Sequence, residues 1–512
     1  MRSSVNQMWR YHFEGTAAGP SLSDRVERML LHAIESKVLI EGVALPSSRE
    51  LADQLGVARN TVLQALERLI DAGYVCTRQR QGYYVSALAE RSPPEGEYTD
   101  SRAAAGPTAS PEPDWSAHIP FRPSTQRNIS KPRERSEVPY AFAYGQIDAA
   151  LFRQSQWREC NERVLRSERS RGLLDDHCDQ DDPMLLEQIR ARLLPRRGVW
   201  ARESEILVTV GAQHALYLLM QLLARPGLVV GVEDPGYPDI RNMIELHRAS
   251  ARPLPVDAHG LVVGPGIASC NALYVTPGHQ CPTTVTMSID RRHELLQAAA
   301  RHDVIVIEDD YEPEASYDGP PSPTLKSMDA ASHVVYVGSL SKTMVPGVRL
   351  GYIVADEALI VELRALRRLM LRHPPATTQR ALALFLAEGH FDTLARRMQA
   401  AYKARASELA GHLAAELPSW RSTSPTGGSS QWIELPENVD SGELAAELLA
   451  HGVYVEPGSV FYADPASGRN RLRLGFSSIP IERIGPGIQR IRRVLDSHRT
   501  AEGKSPGPVL VP

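Results

Sequence analysis

Hydrophobic positions recur at different periods along the chain, and the changes of period divide it. From Ser21 the apolar residues Leu22, Val26, Met29, Leu30, Ala33 and Ile34 repeat at helical spacing, which predicts an amphipathic helix ending near Ser36. Ser47 and Glu50 have capping-box spacing, and Gly56 can close a short second helix. Val62, Leu66, Leu69 and Ile70 mark the buried face of a third helix, which leaves Arg59, Asn60 and Thr61 exposed at its beginning. The run from Tyr74 to Val85 alternates like a hairpin, with Arg78, Arg80 and Gly82 at or beside its tip.

Periodicity then disappears. From Ala87 to about Glu137 the chain is rich in Pro, Ser, Ala, Glu and Arg, as in Arg91-Ser-Pro-Pro-Glu-Gly-Glu, and offers no apolar face to bury, so it reads as a flexible tether. Beyond Tyr140 short β-rich runs alternate with longer helical patterns, the sign of α/β architecture with a mostly parallel sheet. The division expected is a disordered tail over 1–20, a three-helix and hairpin domain over 21–86, a linker over 87–138, a large domain over 139–499 and a second tail over 500–512.

Composition adds limits. A chain of 512 residues exceeds one ordinary core. Its net charge of −4 excludes a generally basic protein, and residues 21–86 carry eight Lys/Arg against eight Asp/Glu, so any nucleic-acid contact needs its positive groups on one face. The five cysteines (Cys76, Cys160, Cys178, Cys270, Cys281) lack metal-type spacing and suit free thiols in a reducing cytoplasm, with no metal expected. Neither a signal-type apolar region nor a run of about eighteen apolar residues is present, so a cytoplasmic location is expected.

The candidate chemistry sits at strand ends. His333-Val-Val-Tyr-Val-Gly reads as a buried strand running into Ser339-Leu-Ser-Lys342, which presents an amine where open α/β sheets bind ligands and where it can form a Schiff base with an aldehyde. Ser339 and Arg349 can serve a phosphate, Arg349 with a bidentate fork. Gly211-Ala212-Gln213 opens a helix whose backbone N–H groups can join them. Tyr237, after Pro235-Gly236, can lie against a ring, and His279 ends another strand near it. Asp303-Val-Ile-Val-Ile-Glu308-Asp309-Asp310-Tyr311 places three acids after a buried run, where they need cationic partners. Asp309 suits a pyridine nitrogen and Tyr311 a ring phenolate, although Asp-Asp alone also fits a solvent-facing loop or a magnesium site. Singly these signals are weak; their combination and order point to pyridoxal 5'-phosphate.

Two resemblances follow from these residues. Leu45-Pro-Ser-Ser-Arg-Glu-Leu-Ala, Leu55-Gly-Val-Ala-Arg-Asn-Thr-Val and Gly73-Tyr resemble the winged helix-turn-helix of the GntR family, with Arg80 where the wing commonly has its first glycine. That likeness implies that Ser47, Ser48, Arg49, Arg59, Asn60, Thr61, Arg78, Arg80 and Gly82 face double-stranded operator DNA, the third helix reading the major groove and the hairpin lying along the backbone.

The order Gly-Ala-Gln, Pro-Gly-Tyr, Asp-x-Tyr and Ser-x-x-Lys over roughly residues 140–495 resembles fold-type I aminotransferases of class I/II. It implies a pyridoxal-phosphate-dependent transferase fold with a smaller C-terminal α/β subdomain. Lys342 would carry the cofactor, Asp309 face its ring nitrogen, Tyr311 its phenolate oxygen and Tyr237 its ring. Ala212, Gln213, Ser339 and Arg349 would hold its phosphate, and Arg473 an effector's carboxylate. The chain departs at His177-Cys-Asp-Gln-Asp-Asp-Pro-Met, which lacks the tyrosine and glycines of the family's Tyr-Gly-Asp-Pro-x-Gly.

Together the two halves resemble the MocR (GabR-like, PdxR-like) transcriptional regulators. That implies a homodimer with head-to-tail domain exchange that senses an amino compound, or the cofactor itself, through aldimine exchange at Lys342 and alters its DNA binding, any transaminase activity being residual. The alternative is a catalytically active aminotransferase with an accessory N-terminal domain.

Overall fold

The computed structural model describes residues 21–78, 82–86, 114–129, 131, 138–166, 179–317, 319, 321–344, 346–423 and 427–502. They belong to two compact units, Met1–His118 and Ile119–Pro512.

In the smaller unit α1 (Leu22–Glu35) is capped by Ser21, whose hydroxyl accepts from Asp24 N. Helix α2 (Ser48–Leu55) begins with a complete capping box: Ser47 N donates to the Glu50 carboxylate at 2.9 Å and Glu50 N to Ser47 Oγ at 3.3 Å. Gly56 ends it in the left-handed region at φ +66°, which favours glycine. Helix α3 (Arg59–Asp71) and the antiparallel hairpin β1 (Val75–Arg78) and β2 (Gly82–Val85) complete a single core. Val26, Met29, Leu30, Leu51, Val62, Leu66 and Leu69 are fully buried in it, each contributing roughly 1.5–3 kcal/mol. Two helical positions differ from the pattern: Leu22 is 53% exposed because it begins α1 before the bundle closes, and Ile70 only borders the core. The wing tip with Arg80 and residues 1–20, 87–113 and 503–512 lie outside the described residues, and the last helix runs to Glu502, past the expected start of the second tail at 500.

Residues 119–131, within the stretch read as tether, are part of the larger unit. Gln126 Nε2 donates to Asn242 O and to Glu245 Oε2, both at 3.1 Å, and Arg127 Nη2 donates to Ala463 O at 2.8 Å. A short polar segment held by hydrogen bonds has no hydrophobic period, so pattern alone assigned it to the linker.

The larger unit opens with β3 (Tyr140–Ala141) and builds an eight-stranded sheet from β4 (Ile206–Thr209), β5 (Val229–Asp234), β6 (Ser250–Asp257), β7 (Gly260–Leu261), β8 (Ala272–Val275), β9 (Ile305–Asp310), β10 (Val334–Ser339) and β11 (Gly351–Val354). Their order is β4-β11-β10-β9-β8-β5-β6-β7. Neighbours from β10 to β6 run parallel, while β11 is antiparallel to both its neighbours and β7 to β6. Leu207, Val232, Tyr274, Ile307, Val337 and Ile353 form one face, packed with α4 (Gly211–Leu223) and α5 (Pro238–Leu246). Leu273, Val275, Val306 and Val334 form the other, with α6 (Ile289–His302).

A second, four-stranded sheet contains β12 (Arg421–Ser422), β13 (Ser430–Glu434), β15 (Glu456–Pro457) and β16 (Arg471–Gly475), while β14 (Val453–Tyr454) pairs with β3. This is the smaller C-terminal α/β part. Its antiparallel register sets Glu456 opposite Arg473.

Candidate functional site

The carboxyl ends of the parallel strands converge on one place. Ser339 closes β10 opposite Gly351 of β11, and Gly351 lies opposite Thr209 at the end of β4. A Cβ on Gly351 would sit 2.9 Å from Gly211 C and 3.0 Å from Ala212 N, so glycine there is what lets the start of α4 approach the lysine loop. The result is a cavity of about 390 Å³. Lys342, Asp309, Tyr311, Tyr237, Ala212, Gln213, Ser339, Arg349 and Arg473 all line it.

Strand alternation sorts the three acids, which lie within β9 and not after it. Glu308 and Asp310 share one face. Glu308 accepts from Leu325 N (2.7 Å) and Lys326 N (2.8 Å), while Asp310 accepts from Arg197 Nε (2.7 Å) and the Tyr336 hydroxyl (2.8 Å). Asp309 points to the other face and into the cavity. Tyr274 donates to its Oδ2 at 2.8 Å, and Oδ1 is buried with no partner among the described residues. Burial pushes the Asp309 carboxyl up to about 7, Asp310 adding to the effect while Tyr274 and Lys342 oppose it.

Lys342 stands above Tyr144, its Nζ 4.5 Å from the ring centroid. Burial lowers its pKa, against the pull of Glu312. Glu312 itself accepts from Ser429 Oγ at 2.7 Å, and Glu314 accepts from the Thr343 hydroxyl, which braces the lysine loop from behind. Gly145, at φ +75°, faces the amine: a Cβ there would lie 2.4 Å from Lys342 Nζ.

At the far end, Tyr237 donates to Gln213 Oε1 at 2.7 Å, and Gln213 Nε2 donates to Asp239 Oδ2 at 2.8 Å. Arg349, at φ +50°, reaches back over Gly211, its Nη2 donating to Val210 O at 3.5 Å. On the remaining wall Arg473 is fully buried. Its Nε donates to Glu456 Oε2 at 2.7 Å, and its guanidinium lies between the rings of Tyr144 (4.0 Å) and Phe461 (4.6 Å). Burial acts against the charge, yet Glu456 holds the Arg473 pKa above its ordinary value.

Two positions differ from their sequence-derived roles. Tyr311 donates its hydroxyl proton to His279 O at 2.6 Å, so only its oxygen faces the cavity as an acceptor. The His279 ring lies against Gly427, in a small separate cleft beside Asp310, and burial lowers its pKa to about 4. At the departure from the family motif, Asp181 is buried and accepts from Arg364 and Arg367, and Asp182 caps the following helix, so these acids hold structure together; His177 and Cys178 lie outside the described residues.

Sequence reading missed Lys131, Tyr144, Tyr274, Cys281, Glu312 and Glu456. Tyr274 sits in a strand already assigned to the sheet, Cys281 is two residues after His279 and Glu312 follows Tyr311 directly, so these three were within reach of the pattern; Lys131, Tyr144 and Glu456 come from other segments. Away from the cavity, donor atoms of Cys160, Glu388 and His390 come within 4.8 Å of one another, but Arg163 engages Glu388 and burial pushes the Cys160 thiol up to about 11.

In the smaller unit Arg49, Arg59, Asn60 and Arg78 are exposed and Thr61 half-buried at the start of α3. Ser47 is committed to its cap, and Ser48 is buried, its hydroxyl accepting from Arg59 Nε at 3.2 Å. Arg78 lies over the Tyr84 ring at 4.3 Å, and Gly82 is exposed at φ +105°.

A winged helix-turn-helix joined in one chain to a sheet with a cavity lysine defines a composite class, a DNA-binding fold fused to an aminotransferase fold. Residues 22–85 match the model of bacterial regulatory proteins of the gntR family, and residues 177–491 that of aminotransferase class I and II. The chain belongs to the MocR-type transcriptional regulators that combine these two families. It is 40% identical over 476 residues to the HTH-type transcriptional regulator TauR of Rhodobacter capsulatus, covering 93% of this chain and 96% of that one. To the probable rhizopine catabolism regulatory protein MocR of Rhizobium meliloti it is 29% identical over 454 residues, 88% of each. Among solved structures, Pyrococcus horikoshii kynurenine aminotransferase in complex with PMP has a TM-score of 0.68 at 25% identity, covering 75% of this chain and 98% of that one. LysN, the α-aminoadipate aminotransferase of Thermus thermophilus complexed with N-(5'-phosphopyridoxyl)-L-leucine, has a TM-score of 0.67 at 26% identity, covering 76% and 99%. Among the described residues no helix is long and apolar enough to cross a membrane.

Proposed function

We propose that the protein binds pyridoxal 5'-phosphate at Lys342 and operator DNA through its winged helix, and that an amino compound, or the cofactor itself, changes its hold on DNA. The observation that carries this reading is the buried Asp309 Oδ1, without a partner among the described residues, in the same cavity as Lys342 and Arg349. A group with a basic ring nitrogen at one end, an aldehyde and a phosphate fits that donor set. When bound, pyridoxal phosphate supplies an aldehyde that condenses reversibly with amines.

The chain's own residues have distinct tasks. Asp309 holds a proton on the ring nitrogen, and forming that pair offsets the cost of its buried charge. Gly211 to Gln213, Ser339 and Arg349 take the phosphate, Tyr237 covers the ring face, and Tyr311 offers an acceptor oxygen. Lys342, its pKa lowered by burial, gives up its proton more readily than an exposed lysine, which favours the nucleophilic form of the amine. Arg473, held by Glu456 and two rings, orients toward a ligand's acidic group. Arg49, Arg59, Asn60, Thr61, Arg78 and the wing contact DNA, with Ser48 acting through Arg59; relatives named as HTH-type regulators support that role. A homodimer would pair two such heads on two half-sites.

Asp309 also favours a second reading, a working aminotransferase, because a protonated ring is an electron sink that amine exchange alone does not need. Borohydride treatment of the loaded protein tests the first reading. It should fix the cofactor to Lys342, and Lys342→Ala should fold but retain none; fixation elsewhere refutes the assignment. In the same samples, DNA affinity that shifts with amines while no keto acid is turned over separates regulator from enzyme.

A further inference from the structure

We propose that Glu456 is a specificity-determining residue of the cavity: by holding Arg473 in a buried ion pair, it weakens the pull of that arginine on a ligand's carboxylate and so limits the preference for amines with an acidic end. The inference rests on the reading of the cavity as an amine site.

Strand register builds the pair. Arg473, in the middle of β16, lies opposite Glu456 of β15 on one side and Trp432 of β13 on the other, and positions paired in this way put their side chains on the same face of the sheet. Glu456 Oε2 therefore meets both Arg473 Nε, at 2.7 Å, and Arg473 Nη2, at 2.6 Å. The two side chains are only 1% and 2% exposed, too little for water and salt to screen the pair. Glu456 Oε1 is buried with no hydrogen-bond partner among the described residues, so the charge of this carboxylate rests on Arg473. The guanidinium is also held in place. It lies between the rings of Tyr144 and Phe461, and Trp432 meets the Phe461 ring edge-on at 5.6 Å.

What remains for a ligand is the Nη1 edge of the guanidinium. Its contact there is the Cys281 sulfur at 3.9 Å, a weak acceptor that a carboxylate oxygen can replace. Lys342 Nζ stands against the same Tyr144 ring as Arg473, so an amine that takes the place of that nitrogen is held beside the ring that the guanidinium also covers. A carboxylate arriving at the Nη1 edge shares Arg473 with Glu456 and is repelled by it, and away from water that repulsion is felt strongly. A neutral alkyl end meets neither the attraction nor the repulsion. The cavity accepts an acidic end through one edge of Arg473, without the strong preference that an unpaired buried arginine would impose.

The test uses the full chain loaded with pyridoxal phosphate. Cofactor absorbance is titrated with alanine, β-alanine, 4-aminobutanoate, n-propylamine and n-butylamine, for the parent, Glu456→Gln, Glu456→Asp and the double variant Glu456→Gln/Arg473→Met, with thermal melts checking the fold. The readout is the affinity for each acidic amine relative to n-propylamine, because Lys342 also feels the Glu456 charge and a single affinity would move for that reason alone. In Glu456→Gln this ratio should rise about ten-fold for the best-placed acid, the scale of one charge-assisted hydrogen bond, and adding Arg473→Met should remove the gain. Glu456→Asp keeps the charge on a shorter arm; it should raise the ratio less, and it carries the test if the glutamine variant does not fold. A pair that only held the sheet together would lower the melting temperature when broken and leave the ratio where it was. A ratio unchanged or lowered in the folded variants overturns the proposal, as does a gain that survives Arg473→Met. If borohydride fixes the cofactor on Lys342 yet no amine changes the parent's absorbance, the amine-site reading itself fails, and this inference with it.

Discussion

Tyr274 donates its hydroxyl proton to one oxygen of Asp309 and leaves the other oxygen buried in the cavity with no partner among the described residues. The two side chains leave neighbouring parallel strands, β8 and β9, on the same face of the sheet. Together they form a half-completed acceptor site: one oxygen is fixed by the protein, and the second is left for a proton donor from a ligand.

That arrangement gives a pH-dependent expectation. Burial raises the Asp309 pKa from the ordinary carboxylate value to about 7, so the folded, cofactor-free protein binds this proton more tightly than the unfolded chain. The stabilisation is fully present below the unfolded value and is lost as pH rises through about 7. Without cofactor, Asp309→Asn should therefore melt higher than the parent at pH 8, and the difference should shrink at pH 5. With cofactor the order at pH 8 should reverse, because the amide provides no counter-charge. Thermal melts of both proteins, with and without pyridoxal phosphate, check this.

Gly145→Ala should spare the fold and impair loading. The added methyl would meet the end of the Lys342 side chain at 2.4 Å, and φ +75° is strained for alanine by roughly 1 kcal/mol. We expect a modest drop in melting temperature together with a large loss of borohydride-fixed cofactor. Full loading would mean that the lysine relocates freely and that the cradle is unimportant.

Arg59→Ala should weaken operator binding by about ten-fold or more, the scale of one lost base contact, without changing cofactor content. Because Arg59 Nε is braced on Ser48 Oγ at 3.2 Å, Ser48→Ala should produce a smaller loss in the same direction. Fluorescence anisotropy at fixed salt measures both, and unchanged affinity for Arg59→Ala would remove it from the groove-reading set.

Much of this molecule was legible from the order of residues alone. The three helices of the smaller unit, their caps at Ser21 and Ser47, the Gly56 stop and the β1–β2 hairpin follow from local period and local hydrogen bonding, which depend on neighbours a few residues apart. Eight of the nine cavity residues named from motifs were legible for a related reason: they lie near or just beyond element ends, and in a parallel sheet those ends are brought to one edge, whereas Arg473 lies in the middle of β16 in the second sheet.

Tertiary structure alone decided the rest, since it depends on contacts between segments that are separate elements of the chain, from 13 to 116 residues apart. Pattern singled out Asp309 from three acids in a row, but the partners of the other two, Arg197 and Tyr336 on Asp310 and the Leu325 and Lys326 amides on Glu308, are supplied by other segments that the fold brings there. Arg473 was legible as a cation, yet its commitment to Glu456 is a matter of strand register. Lys131 had no signal at all, because a polar segment without a period acquires its place from the surfaces of α5 and Tyr144 against which it folds. Local chemistry is encoded by near neighbours in the chain; charge balance inside a cavity is set by whatever distant side chains the fold brings there.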